Sequence, residues 1–254
     1  MLKTHSRPSS QLSRRPSATP SLVPAHRHAE AIVRARNMVS QLLPLSEWQW
    51  QQEQRGISVY TRPMANKPLP TVRGDAVIKG WSVEEVMAAV RSFDCRKYWD
   101  ERFDGGHVIE WLDARTALAY SAAKGTFPVS GRDFCVVSEV RHDPESQTLQ
   151  VVNTSVEDPS MPEQPKRVRA QLDMNAWILK ADPESPTTVH ATYMVQFDPR
   201  GSLPSSLAKT VQTQMPMCVA RVAEFLAKYT PPPSISRTTL ARSNEKYDVA
   251  RAAW

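Results

Sequence analysis

With 254 residues, 41% of them hydrophobic, the chain is long enough for one large core or two small ones. No stretch comes near the ~20 apolar residues that cross a bilayer as a helix, so the expected protein is soluble or peripheral. Net charge is +6, but residues 1–28 carry +5 (Lys3, Arg7, Arg14, Arg15, Arg27) without an acid, and residues 230–254 add +2, which leaves the middle near neutral. A nucleic-acid binder concentrates base on its folded surface; here it lies in the ends, and no nucleic-acid partner is expected. Three cysteines, Cys95, Cys135 and Cys218, leave one unpaired in any disulfide scheme and fit a reducing compartment. The expected location is cytoplasmic, with a mitochondrial alternative.

Residues 1–29 form a leader with the composition of disorder: serines, prolines and arginines without apolar period. Arginine and serine without acid is also a mitochondrial presequence composition, although the prolines oppose the amphipathic helix that it needs. From Glu30 the spacing of Ile32, Val39, Leu42 and Leu43 predicts a helix that Pro44 ends. Strands are predicted at 48–54 and 57–62, turned at Gly56, and at 71–79. Ser82 is the expected N-cap of a helix through Val83, Val86, Met87 and Val90, and a short helical piece follows over 93–102. After Gly105-Gly106 six more strands are predicted, at 107–112, 116–123, 134–142, 149–156, 167–181 and 187–198. Short connections imply antiparallel pairing. A last helix of some 25 residues, capped at Ser205 or Ser206 and ~37 Å long, has Leu207, Val211, Met215, Val219, Val222 and Leu226 on one face. Residues 230–254 open on Pro231-Pro232-Pro233 and read as a flexible tail.

Between two of the strands lies Lys124-Gly125-Thr126-Phe127-Pro128-Val129-Ser130-Gly131-Arg132-Asp133-Phe134. With Arg96-Lys97-Tyr98-Trp99-Asp100 before it and Gly201-Ser202-Leu203-Pro204 after it, this stretch resembles the START (StAR-related lipid transfer) domain over about residues 30–229. The resemblance is nearest to the phosphatidylcholine-transfer-like branch. It implies an α+β helix-grip fold: a curved antiparallel sheet of about nine strands wrapped around a long C-terminal helix.

Arg96 and Asp100, four apart, share a helix face and can pair. The resemblance implies that they meet a lipid phosphate, which a guanidinium grips with two bonds. Choline-binding members cage the ammonium with aromatic rings, and here two of those positions are Ser121 and Asp173. Tyr120 and Phe134 remain aromatic, and Asn175 completes the implied ligand contacts. Leu207, Val211, Met215 and Pro216 are the implied lid, with Pro216 as a kink. Sterol-binding members place an arginine where this chain has Ser138; Arg141 is out of register.

Nothing assembles a catalytic set. His107, His142 and His190 are isolated on strands or their ends, and His26 and His28 lie in the leader without a cysteine or carboxylate at ligand spacing. Cys95 abuts Arg96, which could lower its pKa, but reads as a buried thiol. The expectation is therefore a monomeric, non-enzymatic protein without cofactor or metal. It binds one lipid in an internal cavity, a phospholipid, and transfers it between membranes through transient contact with their surface. The alternatives are a lipid-sensing adaptor and a sterol carrier.

Overall fold

The structure, a computed structural model, describes residues 26–125, 129–201 and 214–228. Its frame is a ten-stranded curved sheet in the order β1-β2-β3-β10-β9-β7-β6-β5-β4, with β8 off this path. The strands are β1 (Gln49–Gln54), β2 (Ile57–Arg62), β3 (Thr71–Lys79), β4 (Phe103–Trp111), β5 (Thr116–Ala123), β6 (Gly131–Asp143), β7 (Thr148–Ser155), β8 (Arg167–Arg169), β9 (Gln171–Asp182) and β10 (Ser185–Asp198).

Alternation along the strands sorts the side chains into two layers. On one face Val140, Val151, Trp177, Leu179 and Val195 are buried under α2 (Val83–Arg91), α3 (Phe93–Trp99) and α4 (Cys218–Ala227). On the other, Val137, Val152, Met174, Ala176 and Met194 pack with Ile32, Ala35, Val39 and Leu42 of α1 (Ala29–Leu42). Leu43, expected on the buried stripe of α1, stays exposed because the helix ends one residue before it. Ser82 caps α2 as expected and does so reciprocally, its hydroxyl accepting from the Glu85 N–H while the Glu85 carboxylate accepts from the Ser82 N–H. Ser92 caps α3 in turn.

Three expectations need correction. The single strand expected over 167–181 is two, split at Ala170, and the first part, β8, runs parallel to β6. The cause is local: β7 pairs with β6 only from Val136 onward, so Gly131–Asp133 would be left without neighbours on that side, and β8 supplies them. The segment is pinned there by Arg169, which donates to both oxygens of the fully buried Asp133 carboxylate at 2.9 and 3.2 Å. Gly105-Gly106 is not a turn before a strand but lies inside β4. A Cβ at Gly106 would come within 2.6 Å of the Phe93 ring, so glycine is what lets α3 approach the sheet. Finally, the last helix is interrupted: Met215–Met217 form a turn between the helical Gln214 and α4 at Cys218, with hydrogen bonds from Met217, Cys218 and Val219 three residues back. The expected cap at Ser205 or Ser206 lies outside the described residues.

Candidate functional site

α3 is placed by its aromatic end. Trp99 donates to the Ala89 carbonyl at 3.1 Å and meets Trp177 of β9 edge to face at 6.3 Å. One turn earlier Arg96 points along the same side. Its Nε donates to Asp100 Oδ2 at 2.9 Å, its Nη1 reaches the Ser121 hydroxyl at 3.4 Å, and its guanidinium lies over the Phe103 ring at 5.0 Å. Arg96 remains 35% exposed and Asp100 16%. The expected i,i+4 pair is therefore formed, on the covered side of the sheet rather than on open surface.

Strand register shows which of the other candidates join it. Ser121 pairs with Phe134 across β5 and β6, so these two side chains share one face. Tyr120 is the next residue along β5 and points the other way, toward the α1 layer, against His107 at 5.5 Å. Burial, then Asp133, pushes its hydroxyl pKa up. Tyr120 is thus not grouped with Arg96, contrary to the expectation. Asp173 is not either: its carboxylate takes Lys67 Nζ at 2.6 Å. The reason is a β-bulge, in which Gln196 faces Met174 and Phe197 faces Leu172, so that Asp173 is the extra residue and leaves the alternation.

Asn175 does lie on the helix-covered face, in line with Trp177 and Leu179. Two residues that sequence reasoning missed join it there. Asn153 of β7, directly opposite, donates its amide to Asn175 Oδ1 at 3.0 Å. Tyr193 of β10 sets its hydroxyl against the Asn175 side chain and its ring edge-on to Trp177 at 5.2 Å. The available signal was an asparagine at every-second-residue spacing from Leu149 and Val151, on the side of the strand that those two bury. Burial raises the Tyr193 and Cys218 pKa values well above normal, and both groups lie close enough to feel the Arg96 and Asp100 charges. The amide pair, the phenol and the ion pair therefore belong to one neighbourhood of low polarity. Arg96, Ser121, Phe134, Asn153 and Asn175 keep partial exposure there, whereas Val140, Leu149, Val151 and Leu179 on the same face are buried.

Met215 packs against the helix-side core and Pro216 sits in the turn before α4; Leu207 and Val211 lie outside the described residues. Burial raises the Cys95 pKa, which outweighs any help from nearby cations. Among the described residues no group of three or more His, Cys, Asp or Glu could hold a metal ion. The leader histidines meet carboxylates distant in the chain, His28 Nε2 at 2.7 Å from Asp158 and His26 Nε2 at 3.8 Å from Asp113, and His190, expected to be isolated, lies 3.0 Å from Asp182.

A sheet holding one polar, accessible patch under three helices can be compared with known proteins. The family model of the START domain matches residues 40–231. The chain belongs to the START domain family. It is 26% identical over 202 residues to a ceramide transfer protein of Cricetulus griseus, a match covering 73% of this chain and 34% of the relative. It is 28% identical over 193 residues to StAR-related lipid transfer protein 5 of Bos taurus, covering 73% and 87% of the two. The chain thus spans about a third of the length of the ceramide transfer proteins that it matches. Among solved structures, human StAR-related lipid transfer protein 5 superposes with a TM-score of 0.71 at 22% identity over 79% of this START chain and 96% of that one. Human STARD10 gives 0.68 at 21% identity, over 77% and 79%. At these identities the structures speak for the fold alone.

Proposed function

We propose that the protein binds one lipid between its sheet and helices α2–α4 and carries it between membranes. The observation that carries this reading is the accessible polar patch, Arg96 to Asn175, set in a face that is otherwise buried and apolar. Such a face desolvates acyl chains at about 0.8 kcal/mol per CH₂, while the patch satisfies the head. The protein acts as a monomer, without enzymatic turnover, in the cytoplasm. The three cysteines are free, and among the described residues no helix is long and apolar enough to cross a membrane.

The head group follows from which charges are already matched. An ethanolamine phospholipid would need an acid for its ammonium, and Asp173 is held by Lys67. A phosphate would need a free cation, and Arg96 is held by Asp100. What remains is neutral: the Ser121 hydroxyl, the Asn153 and Asn175 amides and the Tyr193 phenol, which bond to one another or to Arg96 and keep further hydrogen-bonding capacity. These suit a lipid head of amide and hydroxyl groups, the ceramide class, which is also what the name of the ceramide transfer proteins, though not of StAR-related lipid transfer protein 5, states of those relatives. The phospholipid expected from the Arg96–Asp100 motif becomes the second reading.

Native mass spectrometry of the purified protein should show one bound lipid. In transfer between vesicles, a labelled ceramide should outcompete labelled phospholipid and sterol. Asn175→Leu should cut ceramide uptake about tenfold, the loss of one to two hydrogen bonds in a dry site. Preferential phospholipid uptake that collapses in Arg96→Ala and is indifferent to Asn175→Leu would favour the second reading instead.

A further inference from the structure

The folded middle of the chain is near neutral, but its cations are unevenly matched. Arg36, Arg55, Arg62, Arg167 and Arg169 each meet a carboxylate. Others meet none among the described residues, and five of these lie near one another: Lys97 on α3, Arg102 beyond it, Lys124 after β5, Arg132 at the start of β6 and Arg200 after β10. They use neutral acceptors instead. Arg102 Nη2 donates to the Lys124 carbonyl at 3.3 Å, and Lys124 Nζ to the Glu101 carbonyl at 3.1 Å. Arg132 donates to the Ser130, Pro199 and Arg200 carbonyls at 2.7, 3.2 and 3.0 Å. Cations held only by carbonyls keep their full charge for an outside partner.

Strand direction gathers them at one end of the sheet, where β5 and β10 finish and β4 and β6 begin. The acids closest to them in the chain are Asp100 and Asp133, already paired with Arg96 and Arg169, Glu101, which is exposed, Asp104, already paired with Arg167, and Asp198, whose Oδ1 accepts the Arg200 backbone N–H at 2.8 Å. The far end balances its charges instead, with Asp113, Asp143, Glu145, Asp182 and Glu184 in its turns against Lys79, Arg115, Arg141 and Lys180. Beside the basic belt, Tyr98 is 53% exposed and stacks on Phe225 of α4 at 6.2 Å, with Lys97 Nζ 5.2 Å from its ring. An amphipathic ring among cations is the composition of a surface that meets lipid head groups. The belt also borders the candidate site: Lys97 follows Arg96, Arg102 lies two residues past Asp100, Lys124 three past Ser121, and Arg132 two before Phe134.

We propose that this belt docks the protein on an anionic bilayer, with the polar patch turned to the membrane and the acidic turns away from it. The inference rests on the lipid-carrier reading. It is tested with the full chain in co-sedimentation with vesicles of 30% phosphatidylserine in phosphatidylcholine, at low and high salt. Arg102→Glu with Lys124→Glu should weaken binding at least about tenfold at low salt, with an unchanged melting temperature and the bound lipid still seen by native mass spectrometry. Arg115→Glu with Lys180→Glu, an equal charge change at the far end, should leave binding within twofold. Equal loss from both pairs would reduce the effect to net charge and overturn the proposal, as would loss of binding to single-stranded RNA with vesicle binding intact. Absence of any bound lipid in the unaltered protein would instead defeat the carrier reading, whatever the vesicles show.

Discussion

Among the described residues Asp158 is the most heavily partnered carboxylate. Its side chain is 2% exposed and accepts from Arg27 Nε at 2.7 Å and from the Ser160 hydroxyl at 2.6 Å, with His28 Nε2 at 2.7 Å. Burial alone would raise its pKa; these hydrogen bonds outweigh burial and hold it well below the usual carboxylate range. A depressed folded-state pKa stabilises the fold fully above the unfolded value of about 3.9 and progressively less as pH falls below it. Asp158→Asn should therefore lower stability by about 1–3 kcal/mol at pH 7, and the gap in melting temperature from the unaltered protein should narrow toward pH 3. A gap that is constant from pH 3 to 7 would mean that packing, not charge, is what the substitution removes. At the same scale the Arg96–Asp100 pair was legible in the sequence because its geometry is fixed by helix periodicity over four residues. Asn153, Asn175 and Tyr193 meet only through strand register, which spacing along the chain does not determine. Asp173 misled for a sharper reason: a single bulged residue reverses the side to which a strand residue belongs.

Among the elements, the turn before α4 is the most constrained by its neighbour. A Cβ on Gly74 of β3 would lie 2.8 Å from Pro216 Cβ and 3.1 Å from Ile57 Cγ2, so the strand must be bare where the turn crosses it. Gly74→Ala should cost about 1–3 kcal/mol in urea unfolding. Because alanine at 216 retains the offending Cβ, Pro216→Ala should not relieve that cost, whereas Pro216→Gly should relieve part of it. On its own, Pro216→Ala should change stability by under about 1 kcal/mol. The proline lies before the N-cap Met217, outside the hydrogen-bond ladder of α4, so its missing N–H removes no bond from that helix. If the turn is the hinge for lipid entry, the same substitution slows transfer between vesicles; unchanged transfer leaves Pro216 as packing against Gly74. The strands themselves were legible from alternation and turn residues to within a few positions. The break at Ala170 was not, because it depends on β6 outrunning β7, a property of two other strands.

For the molecule as a whole, contacts with the sheet begin a few residues before the expected edge at residue 30. Arg27 spans Glu110 of β4 and Asp158 of the β7–β8 connection, and His28 adds to the second contact. These residues tie the start of α1 across the sheet. Deleting residues 1–25 should leave the melting temperature unchanged, while deleting residues 1–28 should lower it by several degrees, about the effect of 1 kcal/mol or more in a domain of this size. Equal melting temperatures for the two truncations would show the clasp to be energetically idle. Leader composition identified the basic segment, but could not mark where it stops, because the carboxylates that hold its last residues come from more than eighty positions away.

The sheet order also has a consequence during synthesis. β10 lies between β3 and β9, so the β1–β3 meander joins the rest of the sheet only through the last strand. β10 begins at Ser185, over one hundred residues after β3 ends at Lys79. At ~5–20 residues per second, β3 waits on the order of 5–20 s on the ribosome with one edge open. A strand with an unpaired edge is a template for wrong pairing. Nascent chains stalled before Ser185 should therefore stay protease-sensitive and chaperone-bound, however complete their first nine strands, and become resistant only once residue 198 has left the exit tunnel.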